Sequence, residues 1–214
     1  MIPHDPGAFT QGFEIHNGYL WESAGRYGQS SFRRTDIETG EVLNLLRFPD
    51  SVFAEGFTFI DDSTVCLLTW KEHTAYLINP WTMEIKDELF LNTEGWGICN
   101  AGEYLAQSDG SSILRFRDIS TFTVIDSVSV TLNGQPQNFL NELEYVDGLI
   151  LANQWGTERI LFINPVSGMV ERFITLRSVR PPSGGVLNGI ALNNNGALFC
   201  TGKNWPVTLV LGNL

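Results

Sequence analysis

One short pattern recurs five times along the chain, and it limits the fold more than any other feature. Gln11-Gly12-Phe13, Glu55-Gly56-Phe57, Glu94-Gly95-Trp96, Asn141-Glu142-Leu143 and Asn188-Gly189-Ile190 can be laid over one another. Each is followed by a turn and a second apolar run: Tyr19 to Ser23, Val65 to Trp70, Tyr104 to Ser108, Leu149 to Asn153 and Leu198 to Gly202. A third run comes next, as at Thr74 to Asn79, Ile113 to Asp118, Ile160 to Asn164 and Thr208 to Leu211. The first four units then add an Asn/Asp-bearing turn and a fourth run, such as Phe122-Thr123-Val124-Ile125. Units of about 40–50 residues holding four short strands are propeller blades. The expectation is an all-β, five-bladed β-propeller of four-stranded antiparallel blades, forming a single domain over residues 1–214.

Helical periodicity is missing. No stretch of about 11 residues carries apolar positions at i, i+3, i+4 and i+7 with proper caps. Turn clusters such as Asn17-Gly18, Asp61-Asp62-Ser63, Asp109-Gly110-Ser111 and Asp147-Gly148 punctuate the β-rich runs instead. The fifth unit stops after its third run, so its outer strand must come from the N-terminus. Only Met1-Ile2-Pro3 precede His4, which is short for a strand and suggests a trimmed start.

Charge narrows the partners. With 24 acidic and 13 basic side chains the net charge is -11, which repels nucleic acid and anionic membrane surfaces. A neutral or cationic ligand, such as a peptide with a free amine, suits it better. No apolar run approaches the roughly 20 residues of a membrane span. Cys66, Cys99 and Cys200 are isolated in apolar surroundings, as buried thiols rather than a disulfide or metal framework.

In a blade the first strand lines the central channel and the second returns beside it. Strand-one starts and strand-two ends therefore open on one face. That mouth should gather Gln11, Glu55, Glu94 and Asn141 with Glu22, Trp70, Ser108, Asp109, Trp155 and Lys203. Indoles, amides, a lysine and carboxylates around a concave mouth fit a small amphipathic ligand.

Eight segments carry a family resemblance. They are His4 to Gly12, Tyr27-Gly28-Gln29-Ser30-Ser31, Leu68-Thr69-Trp70-Lys71, Glu94-Gly95-Trp96-Gly97, Ser108 to Ser111, Asn141 to Val146, Val186 to Ile190 and Thr201 to Pro206. In that order the chain resembles the plant and bacterial type of glutaminyl cyclase. The resemblance implies a five-bladed propeller, and conversion of N-terminal glutamine in peptides or proteins to pyroglutamate with release of ammonia. It also implies an exported precursor, periplasmic or secreted, although no leader precedes Pro3. Its site residues map onto Phe9, Gln11, Glu55, Trp70, Trp96, Asn141, Trp155 and Lys203. The chain departs from the family pattern at Val207-Thr208-Leu209, in the short Ser178 to Gly185 loop, and at Gln154 and Gly156 around Trp155.

Cyclisation needs a neutral attacking amine, donors for a tetrahedral oxyanion, and a proton for the departing nitrogen. Glu55, in the apolar run Phe53-Ala54-Glu55-Gly56-Phe57, is the expected proton shuttle. Lys203 and Asn141 are the expected donors, Gln11 an amide for the substrate, and Phe9, Trp70, Trp96 and Trp155 an aromatic wall. Glu22, Glu94, Glu142 and Glu144 read as structural, bonding backbone between blades. No cofactor is required: His4, His16 and His73 are scattered and make no His-x-x-x-His pair. A structural divalent cation in the acidic channel is compatible with the sequence. A monomer is the default. Two other readings are a non-enzymatic propeller binding peptide N-termini and a calcium-dependent propeller lactonase using Glu55, Asn141, Asn188 and Asp109.

Overall fold

The computed structural model describes residues 1–213. It begins with β1 (Ile2–Pro3) and then lays down four blades of consecutive strands. Blade 1 is β2 (Thr10–His16), β3 (Tyr19–Ala24), β4 (Ser31–Asp36) and β5 (Val42–Arg47); blade 2 is β6 (Ala54–Asp61), β7 (Thr64–Thr69), β8 (Thr74–Asn79) and β9 (Glu84–Phe90). Blade 3 is β10 (Ile98–Asn100), β11 (Leu105–Gln107), β12 (Ile113–Arg117) and β13 (Val124–Ser129). A small hairpin, β14 (Thr131–Leu132) and β15 (Gln135–Pro136), leads into blade 4: β16 (Leu140–Val146), β17 (Leu149–Gln154), β18 (Arg159–Ile163) and β19 (Val170–Thr175). The fifth blade takes β20 (Leu187–Leu192), β21 (Ala197–Gly202) and β22 (Val207–Asn213) from the C-terminal side and β1 from the N-terminal side. The result is a five-bladed β-propeller, every strand antiparallel to its neighbour in the blade.

Five apolar clusters fill the gaps between adjacent blades. Between blades 1 and 2, for example, Trp21, Phe32 and Phe48 pack on Phe57, Val65 and Ile78. Among the described residues the seam between blades 5 and 1 is the thinnest, with Phe13, Leu20, Ala191 and Phe199 as its buried core. This is also where the ring closes. The closing strand is as short as the sequence suggested: Ile2 pairs with Thr208 and Pro3 with Val207.

Polar chemistry reinforces that seam. The Glu22 carboxylate accepts from Thr10 Oγ1 (2.6 Å), His4 Nε2 (3.0 Å) and Arg33 Nε (2.8 Å), and Arg33 Nη1 donates to Asp5 at 2.8 Å. His4 Nδ1 donates to the Trp205 carbonyl at 2.7 Å. Both ring nitrogens of His4 face acceptors, an arrangement that favours the doubly protonated imidazolium. Burial opposes that charge, but Glu22 and the Trp205 carbonyl outweigh it and hold the His4 pKa above its ordinary 6.5. Burial likewise disfavours ionised Glu22, yet His4 and Arg33 bring its pKa down to about 2.

The inner strands share a device. Pairing slips between Thr10 and Gly12 in β2, Ala54 and Phe57 in β6, Leu140 and Leu143 in β16, and Leu187 and Ile190 in β20. These bulges take Gln11, Glu55, Asn141 and Asn188 out of the ladder, each at one end of the channel. The residue that follows is small where the next blade presses in. A Cβ on Gly56 would lie 2.8 Å from the Trp96 carbonyl, and one on Gly97 would run into the Asn141 carbonyl. Gly97, not Gly95, is therefore the third-blade counterpart of Gly56. The register agrees, because Gly56 N–H donates to Trp96 O and Ile98 pairs with Gln107. The sequence overlay on Gly95 was two residues out of frame, and Trp96 takes the place that Gln11, Glu55 and Asn141 hold in other blades.

Candidate active site

The bulged ends of the inner strands and the residues just past the second strands enclose one pocket of about 420 Å³. Its wall is Phe9, Gln11, Arg26, Phe53, Glu55, Trp70, Trp96, Asn141, Trp155 and Lys203. All eight residues expected from the sequence stand in it. Gln11, Glu55 and Asn141 come from the inner strands, and Trp96 lies two residues before β10. Trp70, Trp155 and Lys203 directly follow β7, β17 and β21. The matching position in blade 1 is Gly25, where a Cβ would collide with the Phe53 ring; glycine there leaves the space that Phe53 fills.

Other residues expected at the mouth stand outside the wall. Glu22 belongs to the closing seam, and it bonds side chains rather than the backbone expected of it. Ser108 Oγ accepts from Gly97 N–H (2.8 Å) and donates to the Asn141 carbonyl (2.7 Å), pinning blade 3 to blade 4 beside the pocket. Asp109 pairs with Arg115 and accepts from Ser111. Glu94 accepts at Oε2 from the indole N–H groups of both Trp70 (2.9 Å) and Trp96 (3.1 Å), so one carboxylate orients two rings of the wall. Glu142 bonds the next blade's backbone, accepting from Ile190 N–H at 2.9 Å. Glu144 lies half-buried nearby, and desolvation together with Glu14 pushes its pKa well up. Asn188, a ligand in the lactonase reading, instead donates from Nδ2 to the Thr10 carbonyl at 3.0 Å. Cys66, Cys99 and Cys200 are buried and unbridged, with burial raising each thiol.

The aromatic rings brace one another. Trp155 meets Trp96 edge-on at 6.4 Å and lies tilted against Phe139 at 5.9 Å, and its backbone N–H donates to the Phe139 carbonyl at 2.8 Å. Phe53 packs against Phe9, Tyr27 and Trp70. Phe9 carries cations over its face, Arg26 at 4.4 Å and Lys203 at 4.6 Å from the ring centre. Sequence reasoning missed Phe53 and Arg26. Phe53 lies one residue before a strand, and Arg26 sits in a loop with φ 93°, a conformation that an arginine does not announce.

The polar floor has a definite hydrogen-bond sense. Lys203 Nζ donates to Gln11 Oε1 at 2.6 Å, which leaves Gln11 Nε2 as a donor. The Asn141 side chain bonds nothing among the described residues, and its Oδ1 is buried without a partner. Glu55 is buried, and among the described residues its carboxylate makes neither a hydrogen bond nor a close ion pair. Burial pushes the Glu55 pKa well above 4.5, with Glu72 and Glu94 adding to the rise and Lys203 pulling back. Lys203 is pushed down to about 8 by burial, against the pull of Glu55 and with help from Arg26. An open carboxyl and an open amide thus face a lysine whose charge is within reach of neutral pH.

Comparison with known proteins agrees with this construction. Residues 1–211 match the glutamine cyclotransferase family. The chain is 36% identical over 222 residues to the glutaminyl-peptide cyclotransferase of Arabidopsis thaliana, covering 96% of this chain and 67% of that protein. It superposes on the crystal structure of Myxococcus xanthus glutaminyl cyclase with a TM-score of 0.88 at 33% identity, covering 98% of this chain and 92% of the other. The WD40 β-propeller domain of Doa1, 9% identical, shares the fold with a TM-score of 0.56 over 92% of this chain and 62% of that one. On the extent of the family match and the identity to its relatives, the chain belongs to the glutamine cyclotransferase family, whose members are enzymes.

Proposed function

We propose that the pocket cyclises the N-terminal glutamine of peptides or proteins to pyroglutamate, with Glu55 as the proton shuttle. The observation that carries this reading is the Glu55 carboxyl: buried, raised in pKa, and without a partner in a pocket that otherwise offers donors and aromatic faces. In the reaction the α-amine nitrogen bonds to the side-chain amide carbon. Its proton passes to Glu55 as the carbonyl oxygen takes up negative charge. The carbon–nitrogen bond of the amide then breaks, and the same proton goes from Glu55 to the leaving group, which departs as ammonia.

Each neighbour has a part in this scheme. Lys203 Nζ, Gln11 Nε2 and Asn141 Nδ2 supply donors for the oxyanion, and Asn141 Oδ1 can accept from the substrate amine. The rings of Phe9, Phe53, Trp70, Trp96 and Trp155 pack on the methylenes and hold the side chain curled toward its own amine. Because both reacting groups belong to one residue, fixing that conformer removes much of the entropic barrier. No step calls for a metal.

The direct test measures ammonia from a Gln-initiated peptide, from the same peptide blocked at its amine, and from the free peptide with chelator. Release from the free-amine peptide alone, unchanged by chelator, is expected. Loss on chelation would favour the lactonase-like arrangement, and tight binding without ammonia would favour a peptide-binding propeller.

Lys203→Gln is expected to lower kcat/KM by roughly 10²–10³-fold, the loss of one donor to an oxyanion. Since the Lys203 pKa is about 8, the wild-type rate should fall as pH rises through that value while the ammonium is lost. The variant should lack that alkaline limb. Glu94→Ala releases both indoles, and an increase in KM of about five- to tenfold is expected from losing the two charge-assisted hydrogen bonds that hold the wall. Steady-state kinetics across pH read both results.

A further inference from the structure

The reaction scheme leaves one charged group of the pocket wall unused, and that group is Arg26. Arg33, Arg115, Arg180 and Lys71 all stand within ion-pair reach of carboxylates. Among the described residues Arg26 has no carboxylate partner. Its guanidinium donates from Nη2 to Asn204 Oδ1 at 3.0 Å and sits over Phe9, 4.4 Å from the ring centre, which tethers it and leaves other N–H groups open. The residue is exposed, whereas Glu55 and Lys203 are buried deeper in the same pocket.

Backbone geometry shows that this placement is imposed. Arg26 has φ 93°, unfavourable for any residue with a Cβ. The turn is held by Gly25 N–H to the Phe9 carbonyl (2.9 Å), and by Ser30 Oγ and Gln29 N–H to the Arg26 carbonyl (2.9 and 3.0 Å). A strained, unpaired cation at the rim of a pocket is a reason to ask what it recognises.

We propose that Arg26 is a specificity-determining residue that selects peptides with an acidic side chain directly after the N-terminal glutamine. The proposal rests on the cyclotransferase reading, which seats the glutamine against the buried floor and sends the next residue out past the rim. A guanidinium tethered by Asn204 and Phe9 can meet a carboxylate with two parallel hydrogen bonds from its open N–H groups, and it repels lysine at the same position. The net charge of -11 opposes acidic peptides at long range, so the preference must come from this local contact.

The test compares Gln-Glu, Gln-Ala and Gln-Lys peptides of otherwise identical sequence, by ammonia release at low and high salt. In the wild type kcat/KM should follow the order Glu, Ala, Lys, with Glu about tenfold over Lys at low salt, carried mainly by KM and shrinking as salt rises. Arg26→Gly should fold, since glycine accepts that φ without cost, and should bring the Glu-to-Lys ratio toward one. Arg26→Lys keeps the charge without the fork and should retain part of the ratio. Cyclisation of all three peptides at equal efficiency by the wild type, or an undiminished ratio in Arg26→Gly, overturns the role of Arg26 alone. Failure to cyclise even the alanine peptide overturns the cyclotransferase reading and this proposal with it.

Discussion

Glu55→Gln is expected to lower kcat for a Gln-initiated peptide by about 10²–10⁴-fold with little change in KM, the range for removing a positioned proton-transfer group. Glutamine keeps the shape and hydrogen-bonding reach of the side chain but cannot take the amine proton. The binding contacts come from other residues, chiefly the aromatic wall, Asn141 and the Gln11–Lys203 pair, so substrate should still be held. The effect should be large because nothing else in the wall can substitute. The two carboxylates whose charge reaches Glu55 are already engaged, Glu72 by the Tyr27 hydroxyl and Glu94 by two indoles.

The pH profile gives the same prediction a second reading. Burial raises the Glu55 pKa above 4.5, so the fraction able to accept a proton grows as pH rises through that raised value. The wild-type kcat/KM should therefore climb on an acid limb shared by Glu55 and the substrate amine, whose ordinary pKa is about 7.7–8.0, and fall on an alkaline limb that belongs to Lys203. In Glu55→Gln the residual rate should lose the Glu55 part of the acid limb, keep the part that belongs to the substrate amine, and keep the alkaline limb. Turnover within about tenfold of wild type, from protein with an unchanged melting transition, would remove Glu55 from the proton path.

How much of this was legible in the sequence depends on what each residue has to announce. Blade number was legible because the motif repeats, and Thr74–Asn79 was read at its observed bounds as β8. Gln11, Glu55 and Asn141 were legible because strand starts in a propeller share one face. The third blade was misframed because Glu94-Gly95-Trp96 and Trp96-Gly97-Ile98 both look like the motif. What separates them is the Asn141 carbonyl pressing on Gly97, a contact between residues 44 positions apart that no local pattern encodes. Arg26 was hidden for a related reason, since a left-handed turn with arginine in it lacks the glycine that would mark it. Glu94 was read as structural, and it does hold structure. Its partners, however, are the two indoles of the pocket, which makes it a positioning residue for the site.

The seam between blades 5 and 1 yields the largest expected change in stability. Its apolar core is the smallest of the five, and its closing strand contributes two residue pairs, so ring closure leans on the buried cluster around Glu22. Removing one partner from such a cluster leaves the others charged and desolvated. Glu22→Ala strands both the His4 imidazolium and one side of the Arg33 guanidinium, and a loss of about 3–5 kcal/mol is expected. For a chain of this size that corresponds to a melting temperature lower by roughly 6–20 °C. The cluster also sets a pH window. Glu22, with a folded pKa of about 2, contributes stability that is complete above its ordinary 4.5 and is lost as pH falls toward 2. His4, whose folded pKa is raised, contributes stability that is complete below 6.5 and is lost as pH rises through its folded value. Wild-type denaturant midpoints should therefore receive the full contribution of the cluster between about pH 4.5 and 6.5 and lose it on both sides. Glu22→Ala should flatten that dependence, whereas His4→Gln should flatten its alkaline side and shrink its acid side without abolishing it, because Arg33 still holds the Glu22 pKa down. A Glu22→Ala variant as stable as wild type at pH 6 would show that β1 and the small apolar core close the ring without help.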